Sequence, residues 1–170
     1  MSWIDPQWPR RLPARLSLGL ATLGPVGTRG RAPGTLGTLA GVVVLVLVRA
    51  WLPLAGLLAA GLLLCGLAIG LCGEAERQLG QKDPSCVILD EFAVVPLCFL
   101  GWPQLATMVP EWMVFVLGFA LFRLFDIAKP LGIRELQKLP GGWGVVVDDF
   151  VAALVTCGCL HLAIRFYALF

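Results

Sequence analysis

The chain has 170 residues, 58% of them hydrophobic and only 14% charged, with a net charge of +2. A soluble domain carries about a quarter charged residues, so this composition, with a mean hydropathy of +0.86, excludes an ordinary soluble globule and predicts an integral membrane protein. So small a net charge gives no footing on a phosphate backbone, and no nucleic-acid partner is expected.

Residues 1–31 form a Pro-rich basic arm with Arg10, Arg11, Arg15, Arg29 and Arg31. The arm lacks the apolar core of a cleaved signal, and its charge places it in the cytoplasm by the positive-inside tendency. Trp3 and Trp8 suit a membrane interface, and a short helix is expected near Leu12 to Leu23. Residues 32–170 read as one membrane domain. Ala32–Pro33–Gly34 turn into the apolar run Leu39 to Val48, with Thr35 or Thr38 as candidate helix cap and free N–H groups beside it.

Arg49 to Pro53 mark an outer turn, and Leu54 to Cys72 then runs without charge, long enough for one span. Gly37/Gly41 and Gly66/Gly70 have the GxxxG spacing that lets helices pack closely. The polar stretch Glu74 to Pro84 returns to the inner side with Arg77 and Lys82. A third passage begins at Val87 and runs to Pro110, Trp112 to Leu124 makes a fourth, and Val145 to about Phe166 a fifth.

The expected fold is therefore all-α: an integral membrane helical bundle of about five membrane-embedded or spanning helices, N-terminus inside, with a polar site at the cytoplasmic face. The six cysteines form no CxxC pair, and with a single His a zinc site of thiolates and imidazoles is not expected. They read as small buried apolar residues, and His161 as a packed histidine.

The topology rests on hydropathy and Arg/Lys bias alone, yet it collects the acids. Glu76 leaves the second passage, Asp90 and Glu91 enter the third, Asp126 leaves the fourth, and Asp148–Asp149 enter the fifth. Ionisable groups at a membrane face are expensive and usually functional. Mg²⁺ takes one or two carboxylates plus waters and substrate phosphates, which makes Glu76, Asp90, Glu91, Asp126, Asp148 and Asp149 candidate metal ligands. Neighbours on a helix point about 100° apart, so one member of each adjacent pair could bind metal while the other binds a water, a cation or a second metal.

Arg123, Asp126 and Lys129 share a helical face at i, i+3 spacing, with Pro130 ending the helix. Such a cation–acid–cation row suits a phosphate beside a metal ion. Asp90, Asp126, Lys129 and Asp148 are the candidate catalytic residues. Arg123, Lys129, Arg134, Thr35 and Thr38 are the candidate phosphate contacts. Plainer readings stand beside these. The Arg123–Asp126–Lys129 row could be structural ion pairing, Asp148–Asp149 could cap a helix, Arg134 and Lys138 could serve only topology or lipid head groups, and Asp83 before Pro84 reads as a turn residue.

Three segments, APGTLGTLAG (Ala32 to Gly41), AERQLGQKDPSCVILDEF (Ala75 to Phe92) and FRLFDIAKPLGIRELQKLPGGWGVVVDDFVA (Phe122 to Ala152), together resemble the phosphatidylglycerophosphatase A family. Leu89 stands where some members have an aromatic residue, Thr38 where Ser is common, and the arm before Ala32 lies outside the resemblance. The resemblance implies a mainly helical, Mg²⁺-dependent lipid phosphatase of the bacterial inner membrane, with its active site on the cytoplasmic side. It further implies that the enzyme converts phosphatidylglycerol phosphate into phosphatidylglycerol, with the six acids above as its acidic motif. The favoured chemistry is in-line attack by a metal-activated water on the terminal phosphate, with a covalent aspartyl-phosphate through Asp90, Asp126 or Asp148 as the alternative. The oligomeric state stays open. The rival classes are a divalent-cation transporter and a non-catalytic lipid-binding membrane protein.

Overall fold

Proline sets where most helices of this chain begin. It stands at the cap or in the first turn of seven of them, where its missing N–H would have had no partner anyway. The computed structural model describes residues 6–130 and 132–170, and no strand occurs among the described residues.

A 3₁₀ turn (Trp8–Arg11) precedes α1 (Ala14–Ala21), α2 (Pro25–Arg29), α3 (Pro33–Val48) and α4 (Leu54–Leu79). Next come three short helices, α5 (Leu89–Ala93), α6 (Val95–Cys98) and α7 (Trp102–Leu105). The chain ends with α8 (Glu111–Ala128), α9 (Ile133–Leu136) and α10 (Gly142–Tyr167). The all-α expectation holds, and α1 falls inside the stretch foreseen for a short helix.

Two of the five expected passages, α4 and α10, are long and apolar enough to cross a membrane. At 1.5 Å per residue, the 16 residues of α3 reach roughly 24 Å, short of the roughly 30 Å apolar core. The third passage is not one helix. Pro96 and Pro103 cannot continue an i→i−4 ladder, so the segment folds back as three short pieces around buried Val94, Leu97, Phe99 and Leu105.

α10 is the central element, packed on α8 and α4 and touching α5, α6 and α9, while α3 lies against α5, α6 and α8. Small residues permit this. Gly142 sits against the Ile69 carbonyl, where any side chain would overlap backbone. Of the two GxxxG pairs, Gly37 and Gly41 do face a helical neighbour, at Ile88 and Val95. Gly66 faces open space, and Gly70 receives Trp8 and Pro9 of the arm. The arm is thus docked on α4, further held by Gln78 donating to Ser17 Oγ at 2.8 Å. Trp3 lies outside the described residues.

At the end of the bundle away from the acids, Arg49 at the close of α3 grips Glu111 at the start of α8. Nε and Nη2 donate to the two carboxylate oxygens at 2.7 and 2.9 Å. The guanidinium also lies 5.8 Å from the centres of the Trp102 and Phe115 rings, within cation–π range. His161 donates from Nε2 to the Leu100 carbonyl at 2.6 Å, the packed role expected of it. All six cysteines are free.

Gly142→Ala should lower stability by about 1–3 kcal/mol or more, because the clash is with backbone that cannot swing away. Gly66→Ala should be neutral or stabilising by up to about 1 kcal/mol. Denaturant midpoints in detergent would check both.

Candidate active site

Helix ends bring the site together. The first turn of α3, the α4–α5 loop, α5, the last turns of α8 and the second turn of α10 surround a cavity of about 380 Å³. Asp90, Glu91, Asp126 and Asp149 line it with Arg123, Lys129 and Thr35. Asp148 stands behind Lys129 and pairs with its ammonium. Asp148 and Asp149 sit beyond the first turn of α10, which holds no acid. They are therefore too deep in the helix to cap it, and the capping reading is set aside.

The cations divide the acids into engaged and unengaged oxygens. Arg123 Nη1 lies 2.6 Å from Asp126 Oδ2 and 3.5 Å from Glu91 Oε1. It also donates to Thr38 Oγ1 at 3.3 Å, and that hydroxyl in turn donates to the Gly34 carbonyl at 3.0 Å. Lys129, besides its bond to Asp148, is 3.9 Å from Asp126 Oδ1. The i, i+3 row read from the sequence is real, and its ion pairs are made. Lys129 closes α8 in a left-handed conformation with φ 42°, so the helix stops there, one residue before Pro130.

Four carboxylate oxygens, Asp90 Oδ1, Glu91 Oε2, Asp148 Oδ1 and Asp149 Oδ2, are buried with no hydrogen-bond partner among the described residues. Orphans of this kind are rare in folded proteins. Burial, reinforced by the charges of Glu91, Asp83 and Asp148, pushes the Asp90 carboxyl well above the usual range. Burial and the Asp126 charge, opposed by Arg123, lift Glu91 to about 8. Negative charge has been gathered past what two cations offset.

The structure separates two sequence candidates from this cluster. Glu76 does not line the cavity. Its Oε1 accepts the Asp83 N–H at 2.7 Å and its carboxylate takes Lys82 at 3.3 Å, so it shapes the α4–α5 loop. Lys82 also donates to the Leu139 and Gly141 carbonyls, each at 3.2 Å, tying that loop to the start of α10. Arg134 is exposed on α9 and outside the cavity lining.

Neither threonine caps α3. Pro33 starts the helix ahead of them, Ala32 is the cap residue, and no side chain bonds the cap. Thr38 is buried and serves Arg123. Asp83, taken from the sequence as a turn residue, is a turn residue with φ 46° and also lines the cavity, with Gln137 Nε2 donating to its Oδ2 at 2.8 Å. The only signal for it was its place seven residues before Asp90 in an otherwise short polar loop.

Among the described residues, no three His, Cys, Asp or Glu side chains converge closely enough to enclose a metal ion unaided. That does not suit an all-protein tetrahedral site. The orphan oxygens do suit a hard cation that takes one or two carboxylates and completes its shell with water and phosphate.

The profile of the phosphatidylglycerophosphatase A family matches residues 19–164. The chain belongs to that family. Membership makes it a phosphatase, and the match begins inside the basic arm rather than after it. A phosphatidylglycerophosphatase A of Haemophilus influenzae is 36% identical over 124 residues, 72% of this chain and 73% of that protein. Its Escherichia coli namesake is 30% identical over 132 residues, 76% and 72% of the two chains. A Bacteroides thetaiotaomicron protein named "Putative phosphatidylinositol-3-phosphatase" is 34% identical over 151 residues, 86% of this chain and 89% of that one. No solved structure gives a significant match.

Gly34 lets this family member press α3 against the site. A Cβ there would overlap Glu91 Oε1 and come within 3.2 Å of Arg123 Nη2. Both are ends of side chains that can shift without unfolding the bundle. Gly34→Ala should therefore leave thermal stability nearly unchanged while cutting phosphatase activity by about tenfold or more, since displacements near 1 Å cost up to about a hundredfold. Melting curves and phosphate release on the same preparation would test this.

Proposed function

We propose that the protein is a Mg²⁺-dependent phosphatidylglycerophosphatase of a bacterial inner membrane. It would hydrolyse the terminal phosphomonoester of phosphatidylglycerol phosphate to phosphatidylglycerol and inorganic phosphate, as part of phospholipid synthesis. The observation that supports this most is the cavity in which unpartnered buried carboxylate oxygens stand beside Arg123 and Lys129. Anionic and cationic groups side by side match a substrate that brings both a phosphate dianion and the need for a counter-cation.

Asp126 is held by Arg123 and one oxygen of Asp148 by Lys129. Asp90 and Asp149 have orphan oxygens and no ion pair of their own among the described residues, and are on that account the favoured Mg²⁺ ligands. Asp83, which lines the same cavity, could add a third contact through water. Bound Mg²⁺ would supply charge neutralisation and activation of water for attack on phosphorus. Arg123 and Lys129 orient the phosphate oxygens and offset charge that grows as the bond to the glycerol oxygen breaks. Thr35 and the first turn of α3 line the same cavity and offer N–H groups to a phosphate oxygen. Thr38 acts through Arg123 as a positioning residue.

Membrane residence is supported by the outer surface. Only 33% of the apolar window of α4 and 44% of that of α10 is buried inside the protein, unlike the core helices of a soluble fold. Leu47, Leu63, Trp112, Val116 and Leu162 are each more than half exposed, an apolar surface that water would not tolerate over this extent. The acids gather at one end of that belt, where a lipid head group would meet them. The Arg77 and Lys82 side of the bundle is the cytoplasmic one on this reading.

Asp90→Asn and Asp149→Asn should each cut phosphate release from phosphatidylglycerol phosphate by about a hundredfold or more, and Arg134→Ala by no more than about twofold. Chelation should abolish the activity and Mg²⁺ restore it. Wild-type rates in both asparagine variants would refute the ligand assignment. Metal uptake into vesicles without phosphate release would instead favour a transporter.

A further inference from the structure

Beside the active-site cavity, a second and wholly apolar recess opens between α3 and α4. Gly41, Val44 and Val48 of α3, Ala60 of α4, and Phe92 and Pro96 contribute to its walls, and every lining residue is apolar. Its volume is about 80 Å³, against about 380 Å³ for the active-site cavity. So narrow an apolar space fits a stretch of thin chain better than a ring system or a helix. Burying polar groups here would strand them without partners, which rules out a head group, an ion or peptide backbone.

Two stretches of chain lead from the cavity to this recess. Phe92 follows Glu91 directly. Along α3, Gly34 lines the cavity and Gly41 the recess, seven residues or roughly 10 Å further on. Gly41 has no side chain to fill the space, and α5 and α6 approach it closely at the Phe92 carbonyl and Val95. Any phospholipid whose terminal phosphate is in the cavity must carry its apolar tails away along some such path.

We propose that this recess is a binding subsite for one acyl chain, taking the segment near the glycerol of the lipid substrate. The proposal rests on the phosphatase reading above and adds to it a reason why a membrane lipid, rather than a soluble phosphate ester, is the preferred substrate. The site is distinct from general lipid contact because Val43, Leu47 and Leu63, which are also exposed, do not line the recess.

Val44→Phe and Ala60→Phe narrow the recess, whereas Val43→Phe adds the same ring outside it. Phosphate release should be measured on long-chain phosphatidylglycerol phosphate in mixed micelles and on a short-chain, water-soluble analogue. For the two filling variants, kcat/KM on the long-chain lipid should fall about tenfold, the burial of one or two methylenes. On the short-chain analogue it should stay at the wild-type value, and Val43→Phe should match wild type on both. Equal losses on both substrates in Val44→Phe, whose position is half open to the surroundings, would overturn the proposal, as would no loss on either.

A second readout does not depend on turnover. Phosphatidylglycerol carrying a photoreactive group in the upper part of one chain should crosslink to α3 and α4 at the recess, and less so in Ala60→Phe. Labelling spread evenly over the Val43, Leu47 and Leu63 faces would overturn the subsite. Absence of phosphate release by the wild-type protein, with crosslinking intact, would count against the phosphatase reading alone.

Discussion

Carboxylates crowded together out of water are the constraint on which this structure depends. Asp90, Asp126, Asp148 and Asp149 are buried and Glu91 nearly so, and each needs either a cation or a proton to be tolerated. Arg123, inside the last turns of α8, and Lys129, which closes that helix, satisfy part of that demand. The three helices that carry these acids, α5, α8 and α10, each pair with one of these two cations. A buried ion pair is weak evidence for stability on its own terms. Its persistence here, with four oxygens left over, makes more sense as readiness for a ligand than as a means of holding helices together.

The parts around the site divide their work. Gly34 and Gly37 bring α3 close to α5, Thr38 holds Arg123, and Lys82 straps the α4–α5 loop to the start of α10. None of these residues offers a reactive group. They fix the distances at which charged groups that repel one another are kept. Electrostatic catalysis depends on such prior placement, since groups that are already oriented need not reorganise during the reaction.

Much of the site was legible in the sequence because hydropathy and charge bias say where a residue lies along a span. That depth information collected Asp90, Glu91, Asp126, Asp148 and Asp149 correctly at one end. It says little about direction around the helix, and this is why Glu76 was grouped with them although its carboxylate turns to Lys82 and the Asp83 N–H. Asp83 was passed over because a residue before proline in a polar loop already has a sufficient local explanation, and turn geometry and cavity lining are not exclusive. The third passage misled in the other direction. Its uncharged run suggested one helix, while Pro96 and Pro103 already forbade it. Likewise Pro33, a strong first-turn residue, outranked Thr35 and Thr38 as the marker of where α3 begins.

The clasp of Arg49 with Glu111 joins the C-terminal end of α3 to the N-terminal end of α8. Toward the opposite ends of the same two helices, Arg123 of α8 donates to Thr38 of α3. Two antiparallel rods are thus joined at two places, roughly 17 Å apart along their axes. The spacing of α3 and α8, both of which line the cavity, depends partly on a pair of residues that does not line it. A change at Arg49 or Glu111 can thus reach the site from the opposite end of the bundle without touching any group that lines the cavity.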